Sequence, residues 1–577
     1  MNIFRYAVHG SLGLMLAVLV VACSPADDKR SPKADMVINA AKIYTVDENN
    51  PIASSVAIKD GRIIYVGSSD GAIAYVNDDT EMVDLDDGIM YPGFTDGHGH
   101  LMGIGQREMT LNLEGSASIV EVRERVSAAL VGMESGKVLI GRGWIETHWP
   151  EARFLNKNDL DDLSPNNPVV LTRADGHALA ANSMALAMAG VDKDTVSAEG
   201  GEIHRLPNGE PNGVIVDDDQ AAFYEILGSF SDDQKQEAYI KAGEVYNAYG
   251  WTGIHAMSVD PNNISLVESL SDSGDVNLRV YNSIDMKNDG GVVNASAINR
   301  LINEGSRQSR NGRVVTRAIK LYMDGALGSR GAALLAPYSD SPESVGLMRS
   351  TKADVMPILE GALRAGIQIN THAIGDRGNR VLLNWYEQAF ATVPKSERTI
   401  AEPRWRDEHS QIINPDDIPR FVDLGIIPSM QPSHAIGDLF FAPSRLGSER
   451  LNGAYAWQTL LNTGSIVLGG TDAPVERGDP RIEFYAAVAR MSLDGFSDEN
   501  WHKEEAVSRE NALKMFTLWP AFGSFMENDL GSIEVGKLAD LTVFSVDIMT
   551  IPPEEILTAP VVMTIVEGEI VYSAAVD

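Results

Sequence analysis

Cysteine is nearly absent: the 577 residues contain one. A disulfide needs two thiols, so no intramolecular bridge can staple this fold, and no multi-thiolate metal site can form. Positive charge is also scarce, with 47 Lys and Arg against 81 Asp and Glu and a formal net charge of −34. Nucleic acids are held by clustered Lys and Arg that release counterions, so the acidic balance argues against DNA or RNA as partners. It disfavours anionic membrane surfaces on the same ground. What is present, 44% apolar and 22% charged residues, is ordinary globular composition. The length allows several units, or one large barrel with an accessory domain.

The position of the one cysteine is informative. Arg5 lies in a short charged start, Leu12 to Val21 is apolar, and Val20-Val21-Ala22-Cys23 follows. A charged start, a short apolar centre and a small residue at the cut read as a signal peptide over residues 1–22. The apolar run is too short for a permanent span, which needs about 20 residues. In detail the segment resembles a bacterial lipoprotein signal, which implies cleavage before Cys23 and lipid on its sulfur. Ser24, not Asp, comes next, which in that family implies outer-membrane sorting. Several acyl chains make such an anchor stable. Residues 23–34, with two prolines, read as a polar tether. The expectation is an exported protein, lipid-anchored in the outer membrane and facing the periplasm, with membrane contact through lipid only. An ordinary secretory peptide is the alternative. With Cys23 so used, any metal must be held by His, Asp, Glu or a modified Lys.

Residues 35–92 carry short apolar, β-branched segments such as Arg62-Ile63-Ile64-Tyr65-Val66, preceded by the turn Lys59-Asp60-Gly61. Residues 529–577 repeat that texture, with Val561 to Val566 and the turn Glu567-Gly568-Glu569. Between them, strand-like segments alternate with helical ones: Ser231 to Tyr249 is helical, Thr252 to Ala256 extended, and Ala353 to Ala365 helical before Ile367 to Thr371. Alternation of this kind predicts a parallel βα architecture. A stretch covering residues 93–528 exceeds the roughly 250 residues of a plain (β/α)₈ barrel, which predicts an insertion, placed near 104–250.

The sharpest local signal is Tyr91-Pro92-Gly93-Phe94-Thr95-Asp96-Gly97-His98-Gly99-His100. In an extended segment residues i and i+2 face the same side, so His98 and His100 can reach one metal. Four more strand-like segments carry a candidate ligand: His372 after Gly366 to Thr371, His409 in Trp405-Arg406-Asp407-Glu408-His409, Asp472 after Ser465 to Thr471, and Lys320 in Arg317 to Asp324. Strand carboxyl ends converge on one face of a βα barrel, so residues far apart in sequence can meet there. Singly, each is ambiguous between ligand, core histidine and turn cap. In this order, after His-x-His, they point to a metal site. His148, His204, His255 and His502 lack a converging partner and read as surface or packing residues.

On these motifs the chain resembles the amidohydrolase superfamily of metal-dependent hydrolases, in its amidohydrolase family 3 branch. Gly141-Arg142-Gly143-Trp144, Arg173-Ala174-Asp175-Gly176-His177, Asp324 to Arg330, His372 to Asp376, Gln431-Pro432-Ser433-His434 and Gly531 to Asp540 add to the resemblance. It implies a (β/α)₈ TIM-like barrel beside a small composite β-sandwich formed by the two chain ends. It implies His98 and His100 as ligands of one metal, His372 and His409 of a second, Lys320 as a bridging carbamate, and Asp472 as the acidic residue of the last catalytic strand. Lysine can ligate only if burial depresses its pKa and the amine is carboxylated; an ion pair with Asp324 or Glu408 is the alternative. A nitrogen and oxygen donor set suits Zn²⁺, with Mn²⁺ or Fe²⁺ not excluded. Trp144, His177, Asp324, Arg330 and Gln431 are implied on the substrate side, although His177 equally fits packing.

A metal that activates water, with Asp472 as general base and then acid, implies hydrolysis. His434 is the candidate to polarise the carbonyl, unless it simply lines the pocket. The expected substrate is a small molecule with an amide-type C–N bond: an N-acyl amine, a formamide or an N-acyl amino acid. An ester or lactone hydrolase would use the same site, and a non-catalytic surface binding lipoprotein would keep the barrel without turnover. Homo-oligomerisation is left open. Departures from the family pattern are Ile145 where an acidic residue often follows Gly-Trp, Thr471 where Ser usually precedes Asp472, and no Asp after His255.

Overall fold

The computed structural model describes residues 32–574 apart from 147–148, 175, 177, 199–200, 224–225, 227–229, 288–292 and 499–500. Cys23, the cleavage before it, most of the tether, His148 and His177 therefore lie outside the described residues.

Eight parallel strands follow one another around a barrel: β1 (Phe94–Gly99), β2 (Trp251–Val259), β3 (Arg279–Asp285), β4 (Val314–Tyr322), β5 (Gln368–Ala373), β6 (Arg406–His409), β7 (Ile427–Met430) and β8 (Leu468–Gly469). Each pairs with its neighbour in chain order, and the short strand Arg307–Gln308 runs antiparallel on β4. A parallel sheet in this setting is covered on both faces, and the strands are buried along most of their length accordingly. β6 is the exception in chemistry: Arg406, Asp407, Glu408 and His409 are all buried although none is apolar.

The barrel closes where β8 meets β1. Asp472 N donates to His98 O at 2.6 Å, and His100 N to Ala473 O at 2.8 Å. That approach depends on glycine: a Cβ on Gly470 would lie 2.5 Å from His98 N, and one on Gly97 would lie 2.4 Å from Gly469 O. Asp96 ties the same seam. Its buried carboxylate accepts from Thr471 N at 2.9 Å, Thr471 Oγ1 at 2.7 Å and Tyr246 OH at 2.8 Å. The departure at Thr471 is thus explained: the hydroxyl serves Asp96, and threonine supplies it as well as serine.

Helix α1 (Leu101–Glu108) leaves β1 directly, and α2 (Asp232–Tyr249) leads into β2. The Ser231 hydroxyl caps α2 by accepting from Gln234 N, the Gln234 side chain returns to Ser231 N, and Gly250 ends the helix at φ 99°. The two helices touch through bare backbone, since a Cβ on Gly105 would fall 1.7 Å from Ala238 O. Gly105→Ala should therefore destabilise the protein by about 3 kcal/mol, the upper range for overpacking, in a denaturant titration; an unchanged midpoint would show that the helices separate freely.

Between α1 and α2 the chain builds a six-stranded sheet within residues 111–217. It has its own core, in which Trp144, Trp149, Leu155 and Leu171 are buried. The two chain ends meet in an eight-stranded sheet, where Leu541–Phe544 pairs antiparallel with Ile89–Pro92. All its strands belong to one sheet. Ile63 N donates to Lys537 O at 2.9 Å across its opposite edge, and Ile38, Ile63, Val543 and Ile565 share one apolar cluster, so the sheet bends over its own core. No helix among the described residues is long and apolar enough to cross a membrane.

Candidate metal centre

The strand carboxyl ends bring the predicted ligands to one place. His98, His409 and Asp472 are buried, and each offers one donor atom such that all three atoms lie within 4.8 Å of one another. This set crosses the expected grouping, taking one histidine from each predicted pair together with Asp472. His100 Nε2 lies 2.9 Å from Asp472 Oδ1, and His98 Nε2 lies 3.4 Å from the same oxygen. The His372 and His409 rings are 4.6 Å apart, and the His98 and His409 rings 4.8 Å. Lys320 Nζ reaches within 3.4 Å of His98 Nε2.

Backbone conformation aims two of these groups. His409 has φ 77° and Asp472 has φ 58°, in the left-handed region that side-chain-bearing residues avoid. Each turns sharply at its strand end and so presents its side chain to the barrel mouth. Such conformations cost about 1–3 kcal/mol apiece and persist where surrounding structure enforces them. At Asp472 the enforcing contacts are the hydrogen bonds to His98 O and the Asp96 clamp described above.

Burial sets the charge states. It drives His409 well below the ordinary histidine value, with His372 and His98 adding to it, and it takes His372 to about 3. Both are therefore neutral imidazoles with a lone pair available. Burial also lowers His434. For Asp472 burial acts upward, but the His100 and His98 imidazoles beside it outweigh it and hold the carboxylate well below its usual range. Burial lowers Lys320 against the opposing pull of Glu408 and Asp472. No carboxylate among the described residues forms an ion pair with Lys320. Glu408 is engaged by Arg406, Oε1 lying 2.6 Å from Nε, and Asp324 by backbone amides.

His434 stands at the edge of this group, its Nε2 3.6 Å from Asp472 Oδ2. It lies in α3 (Pro432–Asp438), just beyond the end of β7. Several residues expected on the substrate side have other work. Trp144 is buried in the core of the inserted sheet, its Nε1 donating to Leu171 O at 2.8 Å, because an indole in an apolar core must still satisfy its N–H. Asp324 accepts from Ala333 N, Ile374 N and Gly375 N at 2.8, 3.0 and 2.8 Å, and so fixes the loop after β4 to the one after β5. Arg330 spends its fork on Asp340. Gln431 Oε1 lies 2.8 Å from His409 Nδ1, which makes it an orienting partner of that ring.

Two contributors were missed in the sequence. Glu408 Oε2 sits 2.5 Å from His98 Nδ1 with both groups fully buried, and Arg406 holds Glu408. Charged residues inside an otherwise apolar strand were the available signal. His255, expected to be a packing residue, is buried beside Arg406 at 2.8 Å. His204 and His502 pair with the neighbouring Glu202 and Glu504, away from this group.

The donor set fits a divalent cation. His372 Nε2 is buried without a hydrogen-bond partner, a costly state for a ring nitrogen unless something else meets it. The Nδ1 atoms of His98 and His409 are engaged by Glu408 and Gln431, so the Nε2 atoms face the common centre, as metal-binding imidazoles do.

Comparison with known proteins agrees with this geometry. The model of the amidohydrolase family matches residues 81–572. The chain is 31% identical over 553 residues to Protein LONG AFTER FAR-RED 3 of Arabidopsis thaliana, covering 93% of this chain and 92% of that protein. It is 27% identical over 553 residues to the N-substituted formamide deformylase of Arthrobacter pascens, covering 93% and 98%. Among solved structures, an uncharacterized metal-dependent hydrolase from Pyrococcus furiosus superposes with a TM-score of 0.70 at 25% identity, over 89% of this chain and all of that one (100%).

Proposed function

The chain belongs to the amidohydrolase family, and from that premise we propose that it hydrolyses an amide-type C–N bond in a small molecule, of the N-acyl amine, formamide or N-acyl amino acid class. The observation that carries the reading is the convergence of His98, His409 and Asp472 at the barrel mouth. The similarity to a formamide deformylase supports the choice of bond.

His98, His409 and Asp472 would hold one divalent cation, for which nitrogen and oxygen donors make Zn²⁺ suitable. His100, His372 and a carboxylated Lys320 would be the further donors available to it or to a second cation. The metal supplies Lewis-acid polarisation and a water activated near neutral pH. The protein supplies the rest. Asp472 remains ionised and uses Oδ2, the oxygen facing His434, to take the proton from the attacking water. It then returns that proton to the departing nitrogen. Neutral His434 donates from Nε2 to the carbonyl oxygen as negative charge gathers there.

The same reading includes residues 1–22 as a cleaved leader and Cys23 as the lipid attachment point, placing the enzyme on a periplasm-facing membrane surface. Mass spectrometry of the mature amino terminus would test this, a diacylglyceryl-modified Cys23 being expected and an unmodified one contradicting it. For the reaction, the metal-loaded soluble chain should be assayed on matched amides and esters of the three acyl classes. Turnover of at least one amide class is expected. Ester cleavage alone, with every amide untouched, would overturn the assignment of the bond.

A further inference from the structure

Beneath the ligand layer lies a buried group that the reaction itself does not use. Arg406, on β6, is fully buried, and its guanidinium touches four strands. Nη2 shares its two hydrogens among Gly97 O of β1 at 2.5 Å, Glu408 Oε2 of β6 at 3.0 Å and Ser429 Oγ of β7 at 2.8 Å. Nη1 lies 2.8 Å from His255 Nδ1 of β2. Arginine is always charged and offers only donors, so His255 must accept, which requires its neutral form with the proton on Nε2. The fork therefore meets two oxygens of one carboxylate, two neutral acceptors and one imidazole, all inside the barrel.

Glu408 is the pivot. Arg406 Nη2 donates to Oε2, its Nε makes a close ion-pair contact with Oε1 at 2.6 Å outside hydrogen-bonding geometry, and Oε2 also meets His98 Nδ1 at 2.5 Å. A carboxylate held in this way can accept only the Nδ1–H form of His98, which leaves Nε2 bare toward Asp472 and His409. One guanidinium thus fixes the ring's tautomer through Glu408.

We propose that Arg406 is a positioning residue for the metal centre, acting on His98 through Glu408, with His255 as the brace that orients the guanidinium. The inference rests on the reading of His98 as a metal ligand. The alternative is that Arg406 merely fills and neutralises the barrel interior, in which case its removal would alter stability and leave metal affinity untouched.

The test is a mutant cycle read by metal affinity. Zn²⁺ dissociation constants are measured by chelator competition for the parent, Glu408→Gln, Arg406→Met and the double variant Arg406→Met/Glu408→Gln. Partners that orient a ligating histidine typically contribute 10–100-fold in affinity, so each single variant should weaken Zn²⁺ binding by that factor. The double variant should be no weaker than Glu408→Gln by more than twofold, because Arg406 acts through Glu408. A further tenfold loss in the double variant, or a folded Arg406→Met with parental affinity, would overturn the proposal. Arg406→Met alone leaves a buried unpaired carboxylate and could fail to fold. The double variant removes both charges, so the comparison with Glu408→Gln still decides. If the parent itself binds no Zn²⁺, the metal-centre reading falls, an outcome distinct from unchanged affinity in the variants.

Discussion

Asp472→Asn should lower kcat by about 10⁴-fold, the upper range for loss of a positioned general acid and base. The substitution keeps size and shape, so the His100 contact at 2.9 Å and the backbone bonds to His98 survive. What disappears is a carboxylate held ionised against burial by His100 and His98. An asparagine can neither take the proton from water nor return it to the leaving nitrogen. Substrate binding does not depend on that proton, so KM should change little and the loss should appear in kcat. Steady-state kinetics on the best amide substrate checks it. A variant within tenfold of the parent would remove Asp472 from the proton path.

His98→Ala should abolish metal-dependent stabilisation along with activity. A ligand present at a thousand times its dissociation constant stabilises the folded state by about 4 kcal/mol. The parent should therefore melt at a distinctly higher temperature with saturating Zn²⁺ than after chelation, and His98→Ala should melt at one temperature in both. His98 is suited to this test because its neighbours tie it on both nitrogens: Glu408 at Nδ1, and Asp472 and Lys320 near Nε2. Truncation also opens a space at the barrel seam, so the metal-free variant should itself be less stable than the metal-free parent. An equal Zn²⁺ shift in parent and variant would place the ion elsewhere.

The barrel was legible because parallel strands and helices alternate in the sequence with clear periodicity. The candidate ligands that the structure brings together were legible because each stands at the end of a strand-like run, and strand ends share a face. Their mutual arrangement was less so. Which side chains come within reach of one another depends on the left-handed turns at His409 and Asp472 and on the close approach of Gly97 and Gly470, and neither is encoded in a local pattern. Trp144, Asp324 and Arg330 lie in family motifs, yet their partners, Leu171, the amides of residues 333, 374 and 375, and Asp340, turn them to structural use. Glu408 read from the sequence only as a possible partner for Lys320, and Arg406 carried no reading of its own, because only the barrel shows the two facing each other in its interior.

The most direct measurement is a metal titration of the chelator-stripped soluble chain, following bound Zn²⁺ and amide turnover in the same samples. Turnover should rise with each increment of Zn²⁺ and level off when one or two ions are bound per chain, while His98→Ala stays flat and retains none. A stripped chain with full activity, or a His98→Ala variant that fills to the same stoichiometry and turns over substrate, would contradict a metal-dependent hydrolase centred on these residues.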